Sequence, residues 1–274
     1  MRTLILFLYL FLNTAVLYAH HPASSSVNMF KGNFDPSMGK SAGVSPSITL
    51  NEQYQQSERD YRHVLVSEIF AEVPLYKDRI GLMVSGNHYY FNQLDNKDAA
   101  RYGRGMIGLR FVPYIGKRMV VSLESSLYFP AGTDQEKFYG GTYYFGLPGI
   151  SVGFMLSEKF AFFGSLKGYF PMSRPDEETA RVIELKKTTE WTGTLHYTVN
   201  GNFGLFTGAI YRKPFHIMEI ARETEYDSVY REGFAGMRIA FGDVSVNLSW
   251  HRPFKRDEDK PYDSSTNLSV SFLF

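Results

Sequence analysis

Seven histidines are the side chains of this chain best suited to bind a metal or move a proton near neutral pH. Two of them, His20 and His21, are adjacent and are followed by Pro22 and by Ser24 to Ser26. A cut after Ala19 would make His20 the first residue. Its amine, its imidazole and the imidazole of His21 would then offer nitrogen ligands that suit Cu²⁺ or Ni²⁺. Two ligating side chains make an incomplete site, so the competing reading is a polar start to a flexible segment. The other histidines are scattered singly. Cysteine is absent, which excludes disulfides, thiolate metal sites and lipid attachment through a lipobox. Neither Gly-x-Ser-x-Gly nor His-Glu-x-x-His occurs, and the run Asp257, Glu258, Asp259 reads as solvated loop charge. The catalytic set is empty on this reading, and no enzyme is expected.

A second group of chemical side chains is spread along the chain at alternating positions. Glu68, Glu72, Arg110, Glu124, Lys167, Glu190, His196, Arg212, Arg238 and His251 each fall between apolar residues in a segment with a period of two. That pattern predicts strands with one oily and one polar face. From Ser47 onward about twelve such segments follow one another. Leu65, Ile69 and Val73 mark one, Ile107, Leu109 and Phe111 another, and Val244, Val246, Leu248 and Trp250 a third. Two details fit less well. His88 and Tyr90 share the parity of Ile80 and Leu82, which calls for a bulge near Gly86 or a place at an interface. Gly146-Leu147-Pro148-Gly149 is expected to break its strand.

The connections alternate between two kinds. Tyr76-Lys77-Asp78, Ile115-Gly116-Lys117, Ser157-Glu158-Lys159, Asn200-Gly201 and Gly242-Asp243 are tight turns. Asn200-Gly201 reads as a hairpin because both residues tolerate positive φ. Long, charged loops near Asp95, Asp134, Glu177, Glu223 and Asp257 lie between them. Short turns on one side and long loops on the other are the pattern of a transmembrane barrel.

Both ends of the chain support this. Arg2 precedes the apolar run Leu4 to Leu12, which is too short to span a bilayer and reads as an export signal over residues 1–19. The last strand ends Leu268, Ser269, Val270, Ser271, Phe272, Leu273, Phe274, and it resembles the closing strand and assembly signal of bacterial outer-membrane β-barrels, carried by Phe274. The chain has 29 Lys and Arg against 28 Asp and Glu, and removing Arg2 with the signal leaves the two balanced. Nothing in that balance points to nucleic acid. Mean hydropathy is −0.23, and no later segment is long enough for a membrane helix. Alternating strands hide apolar content of this kind, and the 19 Tyr and 23 Phe suit aromatic girdles.

The expected fold class is therefore all-β, a transmembrane antiparallel up-and-down barrel of about twelve strands. Residues 1–19 form the signal peptide, 20–46 an N-terminal periplasmic segment or plug with Met29, Phe30, Phe34 and Met38 as anchors, and 47–274 the barrel. The expected location is the outer membrane of a Gram-negative (diderm) bacterium. The expected partners are outer-membrane lipid, the barrel-assembly machinery and a small solute. Ala19-His20-His21-Pro22 before a barrel of this size is similar to the start of the transporter family named for the phenol-degradation pathway. That resemblance implies substrate transport without naming a solute or assigning residues. The expected function is passage of a small solute through a lumen whose charges set selectivity. The rivals are a non-conducting surface barrel with binding loops and an outer-membrane enzyme.

Overall fold

A computed structural model describes residues 43–57, 62–92, 99–130, 144–171, 188–215, 228–254 and 262–274. Twelve strands follow in order: β1 (Ser47–Ser57), β2 (Arg62–Tyr76), β3 (Ile80–Asn92), β4 (Ala99–Ile115), β5 (Met119–Pro130), β6 (Phe145–Met155), β7 (Phe160–Pro171), β8 (Thr188–Asn200), β9 (Phe203–Phe215), β10 (Ser228–Phe241), β11 (Val244–Pro253) and β12 (Ser264–Leu273). Each strand pairs with its sequence neighbours, and β1 closes the barrel against β12. The alternation dictates the closing register. Ile48 faces Phe272 and Leu50 faces Val270 on the outside, while Thr49 faces Ser271 and Asn51 faces Ser269 on the inside. A slip of one residue would turn both sets over, so this register is strongly specified.

The outer surface is an exposed apolar belt. Leu109, Leu123, Ile150, Leu195, Leu205, Met237, Leu248 and Leu268 lie along it. Tyr76, Tyr114, Phe154, Phe160 and Phe241 stand exposed near the tight-turn end, and Tyr54, Phe170, Trp191, Tyr211 and Trp250 stand exposed toward the other. Two aromatic girdles around an oily belt are what a bilayer requires of a barrel. No helix among the described residues is long and apolar enough to cross a membrane, and the strands supply the crossing.

The bulge near His88 is present, with an unexpected consequence. Gly86 pairs with Gly105 and His88 with Tyr102, so two steps on β3 meet three on β4 and the extra residue belongs to β4. The ladder from β2 to β3 runs in register from His63 to Pro74, which leaves His88 opposite Ser67 on the outward side. Ser67 Oγ donates to Glu52 Oε2 at 2.7 Å, so one polar patch interrupts the belt across β1 to β3.

Two other expectations are corrected. Pro148 does not break β6: Ser125 and Pro148 are partners, as are Ser126 and Leu147, and the strand continues through both. The missing donor falls on the β7 side, where no pairing is made between Gly146 and Gly149. At the β8–β9 turn the Asn200 side chain accepts from the backbone N–H of Asn202 and of Phe203, both at 2.9 Å. Asn200 therefore acts as an Asx cap, and the positive φ expected there is not used. Positive φ occurs instead at Gly242, 58°, and at Lys77, 48°. All five tight turns lie at the end that holds both barrel termini, Ser47 and Phe274.

Candidate functional site

The inward face carries the polar side chains. Glu68, Glu72, Arg110, Glu124, Lys167, Glu190, His196, Arg212, Arg238 and His251 all belong to it, and eight of these are buried, with Glu124 and Lys167 half-buried. They are grouped by the sheet rather than by the chain.

The first group is a ladder of ion pairs on β2, β4, β5 and β7. Arg110 Nη1 donates to Glu72 Oε2 at 3.0 Å, and its Nη2 lies 3.2 Å from Glu124 Oε1. Lys167 Nζ lies 3.3 Å from Glu124 Oε2. Arg110 and Glu124 are direct cross-strand partners, whereas the other two contacts each reach over an intervening strand. Glycine makes that reach fit. A Cβ on Gly81 would stand 3.1 Å from Glu72 Oε1, and one on Gly149 would stand 3.1 Å from Lys167 Cγ. A larger side chain at Gly149 would push Lys167 aside, and one at Gly81 would first meet Val44 Cγ1, at 2.5 Å.

The second group is the pair Arg212 and Glu190, hydrogen-bonded cross-strand partners on β9 and β8. The Arg212 guanidinium also lies over the Tyr230 ring, 5.2 Å from its centroid.

The third group is centred on Glu232 of β10, buried to 0% exposure and unmarked by the sequence analysis. Its carboxylate accepts from the hydroxyls of Tyr230 and Tyr262. Its Oε1 lies 2.8 Å from His251 Nδ1. With Nδ1 turned to that carboxylate, Nε2 is left for the groups on its other side. Ser249 Oγ and Asn267 Nδ2 each lie 2.9 Å from that nitrogen. Phe234 stacks on the imidazole at 5.0 Å. The signal for Glu232 was its parity with Phe234 and Arg238. Tyr262, which precedes β12, carried no such signal.

Opposite in character is the wall made by β11, β12 and β1. Ser245, Asn247 and Ser249 face Ser271, Ser269 and Asn267 across one ladder; Thr49, Asn51 and Gln53 face the same three across the next. These inward positions are hydroxyls and amides without charge. Thr49 Oγ1 lies 3.0 Å from Ser271 Oγ, and Gln53 Nε2 donates to Ser265 Oγ at 3.1 Å. Among the described residues, Asn51 Nδ2, Asn247 Oδ1, Asn267 Oδ1 and Ser269 Oγ are buried with no hydrogen-bond partner. A buried polar atom left so costs about 1–3 kcal/mol.

Apolar clusters separate the polar groups: Phe70 with Met83 and Met106, and Phe206 with Ile210 and Phe234. At the tight-turn end Val44, before β1, packs on Val112 and Val120 of the inner wall. Its N–H donates to the Asp78 carbonyl at 2.8 Å. Among the described residues no group of three or more His, Asp or Glu could hold a metal ion. His20, His21 and the five long loops lie outside the described residues.

No family profile and no curated relative matches the chain. Solved structures do. An outer membrane channel from Pseudomonas putida F1 superposes with a TM-score of 0.64 at 12% identity, over 85% of this chain and 97% of that one. The KdgM porin superposes at 0.52 and 10% identity, over 83% and 99%. LpxR from Salmonella typhimurium superposes at 0.51 and 10% identity, over 83% and 100%. At such identities the likeness is one of fold. Together with the girdled belt and the polar interior, it defines the class by fold: a closed twelve-stranded β-barrel of the outer-membrane type.

Proposed function

We propose that the barrel is a channel for a small hydrophilic solute, with its charged wall setting ion preference. The observation that carries this is the segregation of polar groups to the inside of a closed barrel. Glu72, Arg110, Glu124 and Lys167 form an uninterrupted ladder there, where facing lipid would cost ~2–4 kcal/mol for each Arg or Lys at the bilayer midplane. Twelve strands lie between the filled small barrels and the open large porins, so the expected pore is narrow. The test is planar-bilayer recording on refolded mature protein. Discrete conductance steps support the channel, and a folded barrel that never conducts refutes it.

The periplasmic segment 20–46 fits the same reading as a plug. Val44 is seated on the inner wall at the periplasmic mouth, so the chain enters β1 from inside the barrel rim. Deleting residues 20–42 should raise conductance if the segment obstructs the pore, and unchanged conductance would dismiss it as a plug. Copper or nickel at His20 and His21 is a separate proposal, resting on the sequence alone. Isothermal titration of Cu²⁺ into the mature protein and into a His20→Ala, His21→Ala variant decides it, with equal affinity counting against it.

One observation favours a second reading, a hydrolase. Ser249, His251 and Glu232 stand in the order nucleophile, base and orienting carboxylate, with hydrogen-bond distances of 2.9 and 2.8 Å. Asn267 Nδ2 competes with Ser249 for Nε2, and Glu232 is shared with two tyrosines. These features suit a structural latch better than a poised nucleophile. Labelling by a fluorophosphonate probe, lost in Ser249→Ala, would favour the hydrolase, and an unlabelled folded protein would remove it.

A further inference from the structure

The neutral wall contains a row that the ion-pair ladder does not explain. Asn247 of β11 pairs with Ser269 of β12, and Ser269 pairs with Asn51 of β1. The three side chains therefore stand side by side on the inner surface, about 4.8 Å apart from strand to strand. Each is more than nine-tenths buried, with 4%, 8% and 3% exposure respectively. Each carries an atom with no hydrogen-bond partner among the described residues: Asn247 Oδ1, Ser269 Oγ and Asn51 Nδ2. Asn267, one inward position along β12, adds a fourth in its Oδ1.

The chemistry of this set selects a ligand class. An anion needs donors, and a cation needs acceptors. Here Asn247 and Asn267 offer acceptors, Asn51 offers a donor, and Ser269 offers both. A hydroxyl group also gives and takes a hydrogen bond, so a molecule bearing several hydroxyls can satisfy the whole row. The span from β11 to β1 is about 10 Å, on the scale of a disaccharide. No charged side chain belongs to the row itself; Arg238 pairs with Asn247 at one end and Glu68 with Asn51 at the other. This flanking pair of opposite sign favours neither ion over a neutral molecule.

We infer that Asn51, Asn247, Asn267 and Ser269 form a binding subsite for an uncharged polyhydroxyl solute, a saccharide or polyol. The inference rests on the channel reading for its purpose, but binding can be measured without conduction. Maltotriose serves as probe, with oligogalacturonate and a tri-lysine peptide as charged competitors. Isothermal titration into the full mature protein in detergent should show saturable maltotriose binding. Asn51→Leu and Asn247→Leu, checked for intact heat-modifiable migration, should weaken it at least tenfold, while neither charged competitor displaces it.

A gentler variant guards against misfolding. The chain has no cysteine, so Ser269→Cys introduces a unique thiol. Maltotriose should slow its reaction with a small maleimide in a saturable way. No saturable binding, unchanged affinity in the folded leucine variants, or an unprotected thiol would each overturn the subsite. Binding without conductance would keep the subsite and refute the channel. Conductance without binding would do the reverse.

Discussion

The two walls of the lumen are built from the same strand pattern and differ in how their polar groups are satisfied. On the charged wall Glu72, Arg110, Glu124 and Lys167 are tied together by ion pairs, two of which pass over an intervening strand at Gly81 and Gly149, although Glu72 Oε1 and Arg110 Nε have no hydrogen-bond partner among the described residues. On the neutral wall short side chains cannot reach so far, and several buried atoms remain without partners among the described residues. Long side chains tie one wall together by ion pairs, whereas the short, uncharged side chains of the other leave Asn51, Asn247, Asn267 and Ser269 with unpaired polar atoms. The charged wall is thus the better candidate for stability and ion preference, and the neutral wall for solute contact.

The largest effect is expected from removing the cation at the centre of the ladder. Arg110→Ala would leave buried Glu72 without its ion-pair partner and Glu124 with Lys167 alone. Losing one member of such a buried set costs about 3–5 kcal/mol. Denaturant unfolding of the refolded barrel should show that loss. A comparable loss from Asn247→Ala would erase the distinction between the walls.

Next in size is the latch around Glu232. Glu232→Gln keeps the shape but removes the charge that the two tyrosines and His251 share. Hydrogen bonds to a charged group contribute about 1.5–3 kcal/mol each, and an amide retains part of that. A loss of about 2 kcal/mol is expected. Tyr262→Phe should cost less, since one donor of three is lost. Equal stability of wild type and Glu232→Gln would mean that the carboxylate is not ionised in the folded barrel.

Gly149→Ala tests the crossing device. The new methyl group would meet Lys167 Cγ at 3.1 Å, and Lys167 is flexible enough to yield. The expected cost is about 1 kcal/mol, the scale of one exposed ion pair plus mild crowding. The smallest effect lies outside both walls. Lys77 holds φ at 48°, a conformation costing a non-glycine residue about 1–2 kcal/mol, and Lys77→Gly relieves it at some cost in unfolded-state entropy. A net gain under 1 kcal/mol in thermal or denaturant unfolding is expected, and a net loss would show that the contact of Lys77 with the Tyr76 ring outweighs the strain.

Much of this architecture was legible in the sequence because a barrel strand declares both faces at once. The oily positions and the parity of Arg110, Glu124 or Arg238 follow from a period of two, and the tight turns give the strand count. Cross-strand chemistry was not legible, because the partners are set by register. Nothing near Glu72 in sequence names Arg110, and nothing near Glu232 names Tyr262. The role of Gly81 and Gly149 is likewise visible only once β3 and β6 lie between the paired groups. His88 shows the limit of local reading: a bulge belongs to two strands, and its extra residue sat on the partner. The Asn200 turn shows another, since an Asx cap and a left-handed Asn-Gly turn share the same residues.

The channel reading with a charged wall is tested most directly by reversal potentials across a planar bilayer under a salt gradient. The wild type should conduct, and Arg110→Ala with Arg238→Ala should shift the reversal potential toward cation preference, because two cations leave an interior that keeps Glu68, Glu72, Glu124, Glu190 and Glu232. Asn51→Leu with Asn247→Leu should leave that potential where it was. A folded barrel without conductance would contradict the account, as would a double arginine variant with the wild-type reversal potential.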